Sequence, residues 1–268
     1  MFNPLDLSNK KILITGASSG IGRATAIYLS KLGAKIVATG RNEDNLKATL
    51  NALDGEGHIY IPFDLLNLNE IELLIKKSVD DGKKLDGLIH SAGVPFVMPL
   101  RSLTPDLMKK CYDSDFFCFV ELVRQFSKTK YSNEYSSIVG ISSVTSVKPV
   151  IGEVGYTTAK AALNASVNSM AIELSKRHIR INGILAGNIL SEMSEKTLKE
   201  YGNKDLKDKE VEQSLIGRWG TVEDVAAACA FLVSSMSSFT TASLLDVGGG
   251  VLNRYVPLPK SKTKGGLL

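Results

Sequence analysis

Near the start of the chain, Gly16, Gly20 and Gly22 separate a short apolar run from a segment with helical periodicity. Residues 11–15 include three consecutive aliphatic side chains, which predict a short buried strand. Apolar side chains then recur at helical spacing from residue 21 to residue 32. A buried strand that passes through glycines directly into a helix is typical of the first unit of a parallel α/β sheet.

The same alternation of strand and helix patterns continues to the end of the chain. Further strands are predicted at residues 34–39, 58–62, 85–90, 137–141, 180–185 and 243–247. Further helices are predicted at residues 43–53, 68–79, 106–127, 152–175 and 222–233. A chain of 268 residues with 44% apolar content can bury one substantial core, and we find no internal repeat or interdomain linker. The sequence therefore predicts an α/β fold with a doubly wound parallel sheet of about seven strands and helices on both faces.

The glycines of the first turn have separate uses. Gly16 can take the backbone angles of a tight turn, Gly20 lets a pyrophosphate approach the main chain, and Gly22 lets the helix pack on the sheet. The start of the helix adds free N–H groups and a partial positive charge. The alternative is a glycine-rich loop with no ligand, but the strand before it and the helix after it favour a phosphate site.

A second group of residues, Ser143, Tyr156 and Lys160, lies in the second half of the chain. A phenol has a pKa of about 10, and a lysine one helical turn away on the same face favours the phenolate. We therefore expect Lys160 to lower the pKa of Tyr156. Ser143 follows the predicted strand 137–141, where its hydroxyl can bind a substrate oxygen. The alternative is a solvated helix face. Together with the phosphate-binding turn, the set predicts carbonyl reduction or alcohol oxidation with a nicotinamide cofactor.

With these residues in this order, the chain resembles the short-chain dehydrogenase/reductase family, and within it the 3-oxoacyl-[acyl-carrier-protein] reductases. The resemblance extends from about residue 7 to residue 251 and implies one Rossmann-type domain over residues 1–268. It implies that Ser143, Tyr156 and Lys160 are catalytic. The positions that match the family's cofactor-binding segments are Gly16, Ser18, Ser19, Gly20, Ile21, Gly22, Asp64, Leu65, Ser91, Ala92, Gly93, Tyr156, Lys160, Gly187, Ile189 and Ser191.

The resemblance also implies features beyond the cofactor site. Residues 190–216 would form a lid over the substrate, and residues 252–268 a C-terminal tail. Helices 106–127 and 152–175 would pair with their copies across a two-fold axis in a homotetramer, with a dimer as the alternative. No metal ion is implied.

Three residues near the predicted site depart from the family's pattern. His90 and Ser91 stand where the family has two asparagines, and we interpret His90 as a histidine satisfied at a strand end. Asp115 stands where a helix asparagine usually holds a water near the catalytic lysine. An ionised carboxylate accepts hydrogen bonds but cannot donate them, and its charge raises the pKa of a neighbouring lysine. Asp115 is therefore a fourth candidate catalytic residue. These departures leave open a catalytically weak sensor or scaffold that binds the cofactor.

The preferred coenzyme follows from the charges after the second predicted strand. An NAD-specific enzyme needs an acid there to bind the ribose 2′-hydroxyl. Here Gly40 occupies that position and Arg41 follows it, so a guanidinium is available for a 2′-phosphate. The sequence thus favours NADP(H), against the alternative that Arg41 is an ordinary loop arginine.

The composition of the chain limits which binding partners are expected. The net charge of +4 is modest, and we interpret the cluster Lys260, Lys262 and Lys264 as a solvated terminus, so no nucleic acid is expected. We see no signal peptide and no apolar run of membrane-spanning length, and the three cysteines show no close pairing. We expect a cytoplasmic enzyme with no membrane partner. Its substrate would be a small ketone or secondary alcohol: a 3-oxoacyl thioester by resemblance, with sugar and sterol ketones left open.

Overall fold

Seven parallel strands form the central sheet. The computed structural model describes residues 3–93, 96–192, 194–195 and 204–253. The strands are β1 (Lys11–Thr15), β2 (Lys35–Gly40), β3 (Ile59–Pro62), β4 (Leu85–His90), β5 (Ser132–Ser143), β6 (Arg180–Ala186) and β9 (Leu244–Val247). Their lateral order is β3-β2-β1-β4-β5-β6-β9, so the chain winds outwards from β1 in one direction and from β4 in the other. In such sheets the ligand cleft lies at the carboxyl ends of the strands where the winding reverses.

Helices cover both faces of the sheet. They are α1 (Gly20–Lys31), α2 (Glu43–Asn51), α3 (Ile71–Lys77), α4 (Pro105–Tyr112), α5 (Cys118–Phe126), α6 (Val154–Leu174), α7 (Lys204–Gln213) and α8 (Val222–Val233). Apolar residues of α1 and α8 belong to the core on one face, and those of α3, α5 and α6 belong to the core on the other. This architecture confirms the predicted single-domain, doubly wound α/β fold. A separate two-stranded pair, β7 (Ile189–Leu190) with β8 (Gly220–Thr221), lies beside the sheet.

Several predicted boundaries need correction. The helix predicted at 106–127 is interrupted by a π-helical turn, Asp113–Phe117, which joins α4 to α5. The helix predicted at 68–79 begins with a 3₁₀ turn, Leu68–Glu70. Strand β5 is longer than the predicted 137–141, because its pairing with β6 continues as far as Ser143 opposite Ala186. Ser143 is therefore the last residue of the strand rather than a residue beyond it.

Parts of the sequence predictions lie outside the described residues. Residues 193 and 196–203 of the predicted lid are among them, as are residues 254–268, which make up nearly all of the predicted tail. Within the described ranges, no helix is long and apolar enough to cross a membrane.

Candidate active site

The glycine turn after β1 has the backbone geometry that the sequence predicts. Gly16 and Gly20 have positive φ angles of 67° and 51°. A Cβ atom on Gly16 would lie 2.8 Å from the backbone nitrogen of Ala92, and one on Gly22 would overlap the carbonyl of Gly16. At Gly20 the nearest atom to such a Cβ is Ser191 Cβ at 3.8 Å. Gly16 and Gly22 therefore permit close packing, while Gly20 presents bare backbone to open space.

Thr15, the last residue of β1, links the end of β4 to this turn by hydrogen bonds. Its hydroxyl oxygen accepts hydrogen bonds from the backbone N–H groups of Ser91, at 3.2 Å, and Ala92, at 3.3 Å. It also lies 2.9 Å from His90 Nδ1, so its single proton is donated to that nitrogen. The remaining ring nitrogen, Nε2, faces Cys118 Sγ at 3.7 Å. Burial lowers the pKa of His90 to about 3, with a contribution from Lys160. His90 is thus the neutral, hydrogen-bonded strand-end histidine that the sequence indicated.

Four candidate catalytic residues come from three segments of the chain. Ser143 ends β5, Tyr156 and Lys160 lie one turn apart on α6, and Asp115 lies in the π-helical turn. Lys160 Nζ is 2.9 Å from the carbonyl oxygen of Ile141 and 2.9 Å from Asp115 Oδ1. It also lies 5.7 Å from the centre of the Tyr156 ring. An ammonium has three donors, so at least one N–H of Lys160 remains for a group bound in the cleft.

Asp115 and Lys160 form a buried ion pair. Their side chains are 0% and 5% exposed. Oδ2 of Asp115 accepts a hydrogen bond from the Ser114 hydroxyl at 2.8 Å, and Oδ1 faces Lys160 Nζ at 2.9 Å. A Cβ atom on Gly93 would lie 2.5 Å from Oδ1, so the pair depends on the absence of a side chain there.

The net shift in the pKa of Tyr156 is opposite in direction to the shift that the sequence predicts. Burial raises the pKa of Tyr156, and the charges of Asp115 and Glu153 raise it further; Lys160 and a hydrogen bond with Ser143 oppose them. The lysine acts in the expected direction, but burial and the two carboxylates outweigh it. Burial alone would lower the pKa of Lys160, yet Asp115 and Tyr156 raise it. Lys160 therefore carries its charge while Tyr156 is a protonated phenol at neutral pH.

The predicted cofactor positions surround one cleft of about 590 Å³. Those that line it are Gly16, Ser18, Ser19, Gly20, Ile21, Arg41, Asp64, Leu65, Ser91, Ala92, Gly93, Tyr156, Lys160, Gly187, Ile189 and Ser191. Gly22 lies beneath the turn, against Gly16, and serves packing as expected. Ser143 lines the same cleft, whereas Asp115 lies behind it and contacts the lining residues Lys160 and Ser114.

Sequence reasoning missed two carboxylates and an aromatic side chain of the cleft. Glu153, Glu210 and Trp219 line it together with Tyr156. Burial raises the pKa of Glu153 and of Glu210. The position of Glu153, three residues before Tyr156 and at the start of α6, was the available signal, because that spacing places two side chains on one side of a helix.

The cleft fits a nicotinamide dinucleotide. The glycine turn presents backbone at the start of α1, where phosphates bind readily. A Cβ on Gly40, at the end of β2, would lie 3.0 Å from Ser18 Oγ, so the strand end approaches this turn closely. The volume is within the range of cofactor sites, about 300–1,000 Å³.

Comparisons with known proteins identify the family. Residues 16–252 match a family model described as enoyl-(acyl carrier protein) reductase. The 3-oxoacyl-[acyl-carrier-protein] reductase FabG of Rickettsia prowazekii (strain Madrid E) is 35% identical over 249 residues, which cover 92% of this chain and 99% of that protein. L-xylulose reductase of Caenorhabditis elegans is 28% identical over 249 residues, covering 92% of this chain and 98% of that protein. The crystal structure of a dehydrogenase/reductase from Sinorhizobium meliloti 1021 has a TM-score of 0.85 at 26% identity, and covers 92% of this chain and 97% of that chain.

The chain therefore belongs to the short-chain dehydrogenase/reductase family, whose members use a nicotinamide cofactor. It is an oxidoreductase that acts on alcohol and carbonyl groups.

Proposed function

We propose that this protein is an NADP(H)-dependent reductase of ketones that can also oxidise the corresponding secondary alcohols. The observation that carries the proposal is the meeting of Ser143, Tyr156 and Lys160 with the glycine turn around one cleft. The identity to FabG supports a 3-oxoacyl thioester as substrate, and the identity to L-xylulose reductase supports a sugar ketone as the alternative.

In the mechanism we propose, the bound nicotinamide supplies a hydride to the carbonyl carbon. Tyr156 donates its phenolic proton to the substrate oxygen, and its protonated state at neutral pH suits this role. The Ser143 hydroxyl orients the same oxygen. Lys160, held by Ile141 and Asp115, keeps one N–H for the cofactor ribose and stabilises the phenolate that forms.

The preference for NADP(H) rests on Arg41. Its side chain is exposed and lines the cleft directly after β2 ends at Gly40. The next acid along the chain, Glu43, is 3.1 Å from Lys47 Nζ and accepts a hydrogen bond from the Tyr60 hydroxyl at 3.3 Å. A 2′-phosphate at this position would therefore meet the Arg41 guanidinium, while Glu43 is already paired with Lys47.

The proposal also includes the oligomeric state and the cellular compartment. Phe117 and Ile172, on the two helices predicted to pair between subunits, expose 44% and 76% of their surfaces, and Phe239 near the sheet edge is fully exposed. These apolar surfaces support a homotetramer.

Cys111, Cys118 and Cys229 are buried and unpaired, which supports a reducing, cytoplasmic setting. Residues 190–216 would cover the substrate, and no nucleic-acid or membrane partner is proposed.

Oxidation of NADPH and of NADH with a panel of ketones tests the function. The panel contains a 3-oxoacyl thioester, a polyhydroxylated ketone and a sterol ketone, and Tyr156→Phe is the control. We expect turnover of at least one ketone with NADPH preferred, and strong loss in the variant. Binding of NADPH without turnover of any ketone would favour a sensor or scaffold instead.

A further inference from the structure

We propose that Asp115 is a positioning residue that keeps Tyr156 in the protonated form used for ketone reduction. Its carboxylate pairs directly with Lys160, so the charge of the lysine is largely compensated and Tyr156 remains the proton-donating phenol. The inference rests on the role proposed above for Tyr156, and it concerns the one position at which the proton-relay residues depart from the family's pattern.

The geometry places the compensating charge where water cannot screen it. Asp115 Oδ1 lies 2.9 Å from Lys160 Nζ, and the two side chains are 0% and 5% exposed. Because the two opposite charges are so close, their electrostatic effects on Tyr156 largely cancel. An asparagine at position 115 would leave the lysine charge uncompensated, and an uncompensated cation beside Tyr156 stabilises the phenolate.

The carboxylate is held in place by its own segment. The Ser114 hydroxyl donates to Asp115 Oδ2 at 2.8 Å, and the π-helical turn Asp113–Phe117 directs Asp115 inwards. Single π-turns of this kind occur frequently at functional sites. Asp113, two residues earlier in the same turn, points outwards and pairs with Lys109 at 2.6 Å. One turn therefore carries a fully buried aspartate and a partly exposed one, whose side chain is 19% exposed, which makes a pair for comparison by substitution.

Other groups around Tyr156 and Lys160 leave Asp115 as the distinctive influence. Besides Asp115, the titratable groups that act on Tyr156 or Lys160 are Glu153 at the start of α6, His90 on β4 and Cys118 on α5, and two more act on these carboxylates, Cys111 on α4 and Glu210 on α7. The pKa of His90 is lowered to about 3 and that of Cys118 is raised to about 12, so neither changes charge near neutral pH. Glu153 adds a second negative charge, so the Glu153→Gln variant shows how much of any shift a cleft carboxylate contributes.

The test is a titration of Tyr156 that needs no substrate. Ultraviolet difference spectra at the phenolate band are recorded for the wild type against Tyr156→Phe, and for Asp115→Asn against the Asp115→Asn/Tyr156→Phe double variant. Subtracting the spectrum of each Tyr156→Phe protein from that of its Tyr156 counterpart leaves the titration of Tyr156 without that of the other tyrosines. We expect the midpoint of Tyr156 to fall by about one pH unit or more in Asp115→Asn, the scale for one buried neighbouring charge. Asp113→Asn should leave the midpoint unchanged, and Asp115→Glu, which keeps the charge, should keep it near the wild-type value.

Kinetics give the second readout. In Asp115→Asn the pH at which kcat for alcohol oxidation reaches half its maximum should fall by about one unit, since oxidation uses the Tyr156 phenolate as the proton acceptor. Circular dichroism checks folding; if the asparagine variant does not fold, Asp115→Ser, whose small side chain leaves room for a water on Lys160, takes its place. An unchanged or raised midpoint in a folded neutral variant overturns the inference. A protein that reduces no ketone yet shows the shift would refute the proposed function alone.

Discussion

Loss of the lysine charge should destabilise the fold as well as the catalytic site. Lys160→Met keeps most of the side-chain volume but leaves the Asp115 carboxylate 0% exposed and without its cation. Removal of one partner of a buried pair costs about 3–5 kcal/mol, because the remaining charge is neither solvated nor paired. The free energy of unfolding of Lys160→Met should therefore fall by that amount at neutral pH.

Urea denaturation at a fixed protein concentration measures this loss, and a fixed concentration is needed because assembly contributes to stability. The Lys160→Met/Asp115→Asn double variant should recover most of it, since no buried charge is left. Lys109→Met is the control: Lys109 pairs with Asp113 at 2.6 Å, but their side chains are 71% and 19% exposed, so water can reach the carboxylate left behind and the expected loss is smaller, about 1 kcal/mol. If Lys160→Met were as stable as the wild type, the buried pair would not exist as described.

Three further predictions concern chemistry, coenzyme and assembly. Tyr156→Phe should bind NADPH normally while turnover falls roughly a hundredfold or more, the usual scale for a positioned proton donor; near-normal turnover would remove Tyr156 from its role. Arg41→Ala should weaken NADPH by about 1.5–3 kcal/mol in binding titrations and leave NADH nearly unchanged; equal weakening of both would contradict the 2′-phosphate assignment. Light scattering at micromolar concentration should show a tetramer, and Ile172→Glu, which charges an exposed apolar position on α6, should reduce the assembled mass; a fully active wild-type monomer would contradict this.

Most of the fold could be predicted because its signals are local. Strand β4 (Leu85–His90) and helix α8 (Val222–Val233) have the predicted bounds, since the pattern of apolar residues in each is clear and ends abruptly. Helix α8 begins with a capping box between Thr221 and Asp224, which marks its start in the sequence. The glycine turn could be predicted for the same reason: strand, turn and helix follow one another without interruption.

What the sequence could not predict depends on contacts between distant segments. The π-turn at Asp113–Phe117 has no signature that separates it from ordinary helix, so its inward aspartate could be placed only approximately. The net pKa direction of Tyr156 depends on its burial and on Asp115 and Glu153, three quantities that only the folded chain defines. The role of Glu153 in the cleft was missed because a lone acid before a helix is usually a solvated cap.

The most direct test of the proposed reaction is the structure of the protein with NADP⁺ and an alcohol product trapped in the cleft. We expect the product oxygen to lie within hydrogen-bond distance of both the Tyr156 and Ser143 hydroxyls. We also expect Lys160 to contact the nicotinamide ribose and Arg41 to contact the 2′-phosphate. A product oxygen that touches neither Tyr156 nor Ser143, with the cofactor correctly bound, would contradict the proposed reaction at this site.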